Sequence, residues 1–278
     1  MKEVLRVEKL TKRFGDNTVL DGLSFSVTEG TVFGFVGANG AGKTTTMKIV
    51  LGLLDADGGS VHVCGERVVF GHGVNRHIGY LPDVPEFYGY MRPAEYLRYC
   101  GQLARMDAEL IKSRSDELLG LVGLLGVNRR IGGFSRGMKQ RLGVAQALIN
   151  EPKLLICDEP TSALDPPGRS EILEILRAIR GKTTVIFSTH ILSDVERICD
   201  SAAVLKRGRI ALSGRLDDLR AGRGDGTAIE FACADDRERF MSLPDIGALY
   251  DIQPTGERGV IVRALRGDIE RLLMEVIQ

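Results

Sequence analysis

The sequence predicts an α/β fold: a mostly parallel core sheet covered by helices on both faces, with an antiparallel β edge, an inserted helical region and a small α+β appendage at the C-terminal end. Three observations predict it. Compact apolar runs alternate with segments whose apolar residues recur every three or four positions, the pattern of a buried parallel sheet wrapped by helices. One of those runs, Thr31 to Val36, enters a glycine-rich loop and leaves it as a helix. The residues ahead of it alternate apolar and polar, as antiparallel strands with one wet face do. Composition agrees with a globular chain: 278 residues, 44% hydrophobic and 27% charged, are ample for a core. Lys and Arg total 37, as do Asp and Glu, so a broadly basic nucleic-acid surface is not expected.

Taken in order, Val4 to Glu8 alternates, Gly15-Asp16-Asn17 turns, and Leu23 to Val27 alternates again. After the strand Thr31 to Val36, Lys43 to Leu54 reads as a helix with Met47, Ile49, Val50, Leu53 and Leu54 at helical spacing. A turn at Asp57-Gly58-Gly59 leads to strands at Ser60 to Cys64 and near His77 to Leu81. Pro93 to about Val127 is helical by pattern, and Arg136 to Asn150 is one more helix with Met138, Leu142, Ala145 and Leu148 or Ile149 inward, so residues of about 84–150 form a helical subdomain. Strand returns at Lys153 to Cys157, helix at Gly168 to Arg180, strand at Thr183 to Ser188, and a hairpin at Val204 to Ser213 turns on Arg207-Gly208. Arg220 to Gly226 breaks all periodicity and marks a linker between residues 1–219 and an accessory unit, 227–278. That unit reads as strand (Thr227 to Cys233), helix (Asp235 to Leu243), two strands (Leu249 to Gln253, Gly259 to Ala264) and a last helix (Asp268 to Ile277), a βαββα order.

The longest mid-chain run of apolar residues and glycine, Leu118 to Val127, is too short for a bilayer span, which needs roughly 18 to 20 residues. Charges at Lys2, Glu3 and Arg6 interrupt any secretory apolar stretch, so a cytoplasmic location is expected. Five scattered cysteines without a CxxC pair read as reduced packing residues. His62, His72 and His77 lack the i, i+4 spacing of a helical metal pair.

Chemistry concentrates in two places. Gly37-Ala38-Asn39-Gly40-Ala41-Gly42-Lys43-Thr44 fits G-x-x-x-x-G-K-[ST] between a predicted strand and a predicted helix. Glycines let backbone N–H groups curl around a polyphosphate, Lys43 reaches the β and γ phosphates, and Thr44 offers a hydroxyl to Mg²⁺. The strand Lys153 to Cys157 ends in Asp158 and Glu159. Alone, two acids after a strand are more often a solvated loop or a helix cap; downstream of a phosphate loop, Asp158 suits the Mg²⁺ shell and Glu159 suits the base that polarises the attacking water.

These residues closely resemble the nucleotide-binding subunits of ATP-binding cassette (ABC) transporters, P-loop NTPases, over about residues 4 to 215. Phe134-Ser135-Arg136-Gly137-Met138-Lys139-Gln140-Arg141 lies where that family carries its LSGGQ signature; alone, Ser135 reads as an ordinary helix N-cap. Ser162-Ala163-Leu164-Asp165 resembles the D-loop, Ser188-Thr189-His190 the switch histidine, and Phe14 the aromatic that stacks on adenine, with a core aromatic as its plainer reading. The resemblance implies ATP and Mg²⁺ as ligands. ATP would meet Phe14, Gly37, Ala38, Asn39, Gly40, Ala41, Gly42, Lys43, Thr44, Thr45 and Asp165, with Ser135 and Gly137 contributed by a second subunit, in a homodimer. Glu159, His190, Lys43 and Asp83 would be catalytic, and Thr44, Asp83 and Asp158 would hold the metal.

Two positions depart from the family's usual pattern. Ile78-Gly79-Tyr80-Leu81-Pro82-Asp83 ends in Asp where the Q-loop has Gln, and Ser-Arg-Gly-Met replaces Ser-Gly-Gly-Gln. Both resemble the ATPases of ABC-2-type exporters, which implies export through separate membrane-spanning subunits docking near Val84 to Met91, on the cytoplasmic face of the membrane. An importer ATPase is the nearest alternative. A soluble ABC ATPase acting on ribosomes or DNA is the other, though the single cassette without sustained heptads fits it less well, and no nucleic acid is expected.

Overall fold

The computed structural model describes residues 2–72, 76–221, 227–231, 233–242 and 250–264. Its first two strands, β1 (Glu3–Phe14) and β2 (Asn17–Thr28), pair antiparallel. Both are longer than the alternation predicts, because register shifts between Val7 and Leu10 and again at Lys12 break the period without breaking the ladder. Lys9 sits at the irregularity with φ +47, its N–H donating to Ser24 Oγ at 2.8 Å. The central strand β3 (Val32–Val36) is wholly buried and leads through residues 37–42 to α1 (Lys43–Val50). That helix stops short of the expected Leu54, in a turn where Gly52 adopts φ +70.

β4 (Gly58–Val63) and β5 (Glu66–Arg67) complete a sheet of order β2-β1-β4-β5, and β6 (Ile78–Leu81) joins the central sheet. The helical stretch divides into α2 (Pro93–Leu103) and α3 (Ala108–Leu121), separated by a turn with Arg105 at φ +57. Pro93 at the first helical position and Glu95, accepting from the Arg92 N–H at 2.9 Å, set the start of α2. A short 3₁₀ turn at Ile131–Gly133 precedes α4 (Arg136–Leu148). Next come β7 (Leu154–Asp158), α5 (Pro166–Ala178), β8 (Thr184–Thr189), α6 (Leu192–Ile198), β9 (Ser201–Lys206), β10 (Arg209–Arg215) and α7 (Leu216–Ala221). Of these, α6 has no counterpart in the sequence reading; seven residues are too few for periodicity to register.

The central sheet has order β10-β9-β3-β8-β7-β6, parallel except for β10. The hairpin read at Val204 to Ser213 is therefore the edge of this sheet, its first strand starting earlier, at Ser201, and lying parallel to β3. Alternate residues of the central strands face two cores. Phe33, Phe35, Leu154 and Ile156 face the antiparallel sheet and α1, whereas Val32, Val36, Leu155 and Cys157 face the helices α2 to α6.

The C-terminal part contains β11 (Thr227–Glu230), α8 (Ala234–Met241), β12 (Tyr250–Thr255) and β13 (Gly259–Ala264) in a sheet of order β11-β13-β12. The expected last helix, Asp268 to Ile277, and the start of the unit's second strand at Leu249 lie outside the described residues. Ile229, Phe240, Val260 and Val262 join one continuous apolar cluster with Leu212 of β10 and Leu216 of α7. The cysteines are all free; Cys157 and Cys199 are buried, but Cys233 is exposed at the N-terminus of α8, against the expectation that all five pack inside.

Candidate functional site

The site assembles where the central strands end, because a parallel sheet delivers the residues that follow each strand to one edge. The loop after β3 closes on itself, Ala41 N–H donating to Ala38 O at 3.2 Å, and Gly37 N–H donates to Thr189 O at the end of β8 at 3.3 Å. Gly42 caps α1 at φ +109, and a Cβ there would stand 2.7 Å from Leu20 Cδ2 and 3.1 Å from Val19 O, so only glycine fits. Ala38, Asn39 and Gly40 are exposed, as is Thr44 in the first turn of α1, with Thr45 partly so. A polyphosphate laid on this loop meets backbone N–H groups and the positive end of the α1 dipole.

Lys43 is almost entirely buried, its ammonium donating to Gly37 O at 2.7 Å and to Ala38 O at 3.3 Å, and lying 3.0 Å from Glu159 Oε1. That last contact is an ion pair without hydrogen-bond alignment, so charge alone holds it. Glu159 follows β7 with φ +49, a conformation uncommon for any residue but glycine. Its own N–H donates to Ser188 Oγ at 3.0 Å, and Ser188 Oγ donates to the buried Asp158 Oδ1 at 2.7 Å. The other Glu159 oxygen pairs with His190 Nδ1 at 2.9 Å, a contact that favours the proton on Nδ1. Lys43, Glu159 and His190 thus form one charge chain over the ends of β7 and β8, beside Asp158. Tyr80 faces both Asp158 and Asp83; burial, then those two charges, pushes its hydroxyl up to about 12, which keeps it neutral.

Phe14 stands half-exposed at the end of β1 with the Lys12 ammonium 5.5 Å from its ring centre, not in the core. The Arg13 N–H and the Lys12 ammonium, at 2.6 and 3.0 Å, hold the Asp57 carboxyl below the usual range and fix this corner. Ser135 caps α4, its Oγ accepting from Met138 N–H at 3.3 Å, and Asp165 caps α5, accepting from Gly168 N–H at 3.3 Å. Gly137 is partly exposed in the first turn of α4. Asp83 is drawn to Ser162 and Arg136 rather than to the Lys43–Glu159 pair; the sequence held no sign of that grouping.

Sequence reasoning also missed Asp194 on α6. It is buried, accepts from Thr161 Oγ1 at 2.7 Å and from Arg169 Nε at 2.6 Å, and so ties α6 and α5 to the loop behind Glu159. Val84, Tyr88 and Tyr90 are exposed on a segment pinned to the 3₁₀ turn, with Ile131 N–H donating to Met91 O and Gly132 N–H to Gly89 O, both at 2.9 Å.

Residues 20–162 match the ABC transporter family. The chain belongs to that family. Among relatives of this ABC ATPase, the uncharacterized ABC transporter ATP-binding protein YxlF of Bacillus subtilis is 42% identical over 218 residues, 78% of this chain and 72% of the relative. The Nod factor export ATP-binding protein I of Ralstonia nicotianae is 39% identical over 220 residues, 78% of this chain and 68% of the relative. Among solved structures, cbiO1 of Clostridium perfringens, part of the ABC transporter complex cbiONQ, aligns with TM-score 0.72 at 26% identity over 89% of this chain and 98% of that one. Members of the family are ATPases coupled to transport, and this chain is a nucleotide-binding ATPase of that kind. No helix among the described residues is long and apolar enough to cross a membrane.

Proposed function

We propose that the chain hydrolyses MgATP as one half of an ATP-closed homodimer beneath separate membrane-spanning subunits, and that the pair drives export. The observation that carries the reading is the Lys43–Glu159–His190 chain beside a phosphate-binding loop. On nucleotide binding the Lys43 ammonium exchanges loop carbonyls for the β and γ phosphates, and the loop amides hold the rest of the chain of phosphates. Glu159, freed from Lys43 and oriented by His190, takes a proton from the water that attacks the γ-phosphorus, giving ADP and phosphate. Phe14 stacks on the base from its exposed corner.

The donor set fits Mg²⁺. No cluster of three His, Cys, Asp or Glu occurs among the described residues, but Mg²⁺ needs only one or two carboxylate or hydroxyl oxygens beside the substrate's phosphates. Thr44 and Asp158 would hold it, and it would neutralise charge between the β and γ phosphates.

Export is supported by the relative named for Nod factor export and by the signature and Q-loop variants. Membrane-spanning partners are supported by the exposed Val84, Tyr88 and Tyr90, and by the membership of cbiO1 in a multi-subunit complex. The chain would then sit on the cytoplasmic face. The test is affinity capture of the Glu159→Gln chain from detergent-solubilised native membranes with ATP and Mg²⁺. A polytopic membrane protein that forms an exporter with the chain is the expected catch. An importer would reverse the direction, and ribosomes or DNA-bound proteins would overturn the transport reading.

A further inference from the structure

A single carboxylate joins three segments that flank the nucleotide site. Asp83, just past β6, accepts a hydrogen bond from Ser162 Oγ, 79 positions away on the loop between Glu159 and α5. The same oxygen lies 3.6 Å from the guanidinium of Arg136, the first residue of α4 and the neighbour of Ser135. A core strand, the loop behind the candidate base and the start of the signature helix therefore meet at Asp83 Oδ1.

The geometry points to Asp83 as a positioning residue that, through Ser162 and Arg136, sets the signature helix against the loop carrying Glu159. The inference rests on the ATPase reading and adds to it a coupling between the parts of the site. Asp83 and Arg136 are each 47% exposed, and an ion pair so exposed and so long adds little stability. What it supplies is orientation, in a contact weak enough to open and close with each turnover. Arg136 and Asp83 are also two of the departures from the family's usual residues, beside Met138, and here they answer each other: the charge introduced at one is met by the opposite charge at the other. With Oδ1 committed to Ser162 and Arg136, a role in the metal shell would fall to the other oxygen alone.

The experiment measures steady-state ATP hydrolysis and thermal melting of the full chain for Asp83→Asn, Arg136→Gln, Ser162→Ala, the double variant Asp83→Asn/Arg136→Gln and the swap Asp83→Arg/Arg136→Asp. Each single change is expected to lower kcat by about two- to fivefold, with KM for MgATP and the melting temperature nearly unchanged, on the scale of an exposed pair. The double variant should be no slower than the slower single, and the swap should recover at least half the parent rate. Multiplying effects in the double variant, singles at the parent rate, or a Mg²⁺ requirement raised by Asp83→Asn alone would each overturn the inference while the ATPase reading stands. A parent chain without hydrolysis would overturn both.

Discussion

In the proposed mechanism Lys43 serves binding and Glu159 serves turnover, and their surroundings differ accordingly. The Lys43 ammonium is nearly buried and already satisfied by loop carbonyls, so replacing it with Ala should weaken ATP binding by about 1.5–3 kcal/mol, the scale of a hydrogen bond to a charged group. Isothermal titration with ATP reads this as a ten- to hundredfold loss, roughly; an unchanged affinity would put the phosphates elsewhere. Glu159→Gln keeps the shape and the neighbour His190 but loses basicity, so turnover should fall by roughly 10²–10⁴ while ATP still binds. Phosphate release under saturating ATP measures it. Lys43, Asp158 and Glu159 were readable from sequence because each lies at or after the end of a strand of one parallel sheet, and topology brings such residues together, whereas His190 was read through the family resemblance. Asp83 and Asp194 were not, since their partners depend on side chains from distant segments, and an Asp in a seven-residue helix reads as solvated.

Among the elements, the α4 helix is the one whose position matters most, because its first turn carries the signature. Its fit against β6 is set by Gly79: a Cβ there would lie 2.1 Å from Ala147 O, a backbone atom that cannot step aside. Gly79→Ala should therefore cost about 1–3 kcal/mol as α4 is pushed off the sheet. The urea midpoint measures that loss, and ATP hydrolysis should fall further than stability predicts. A second staple lies behind Glu159, where Asp194→Ala would leave Arg169 and Thr161 without their shared acceptor and should cost about 1–3 kcal/mol. Element type was legible wherever period and caps agreed, as in α2 with its Pro93 start and α5 behind Asp165. It blurred where tertiary contacts overrode local pattern: the bulges that lengthen β1 and β2, and the Gly52 turn that ends α1 early.

For the molecule as a whole, the decisive question is where Ser135 acts. Within one chain it caps α4, and the proposed role at a phosphate calls on it from a second copy. In a head-to-tail dimer each ATP lies between one subunit's loop and the other's signature, and this can be tested by complementation. A subunit with Ser135→Ala keeps its own Lys43, and a subunit with Lys43→Ala keeps its own Ser135. If the signature acts across the interface, a mixed dimer has one site with both lesions and one intact site, so mixing two inactive preparations should restore about a quarter of parental activity when the two pair at random. If each site is built from a single chain, every site in the mixed dimer carries one lesion and mixing restores nothing. Ser135→Ala also removes an N-cap worth about 1 kcal/mol, but that loss is the same before and after mixing and cannot imitate recovery. Restored hydrolysis therefore reports shared sites, and the closed dimer becomes the unit through which ATP pushes on whatever docks at Val84, Tyr88 and Tyr90.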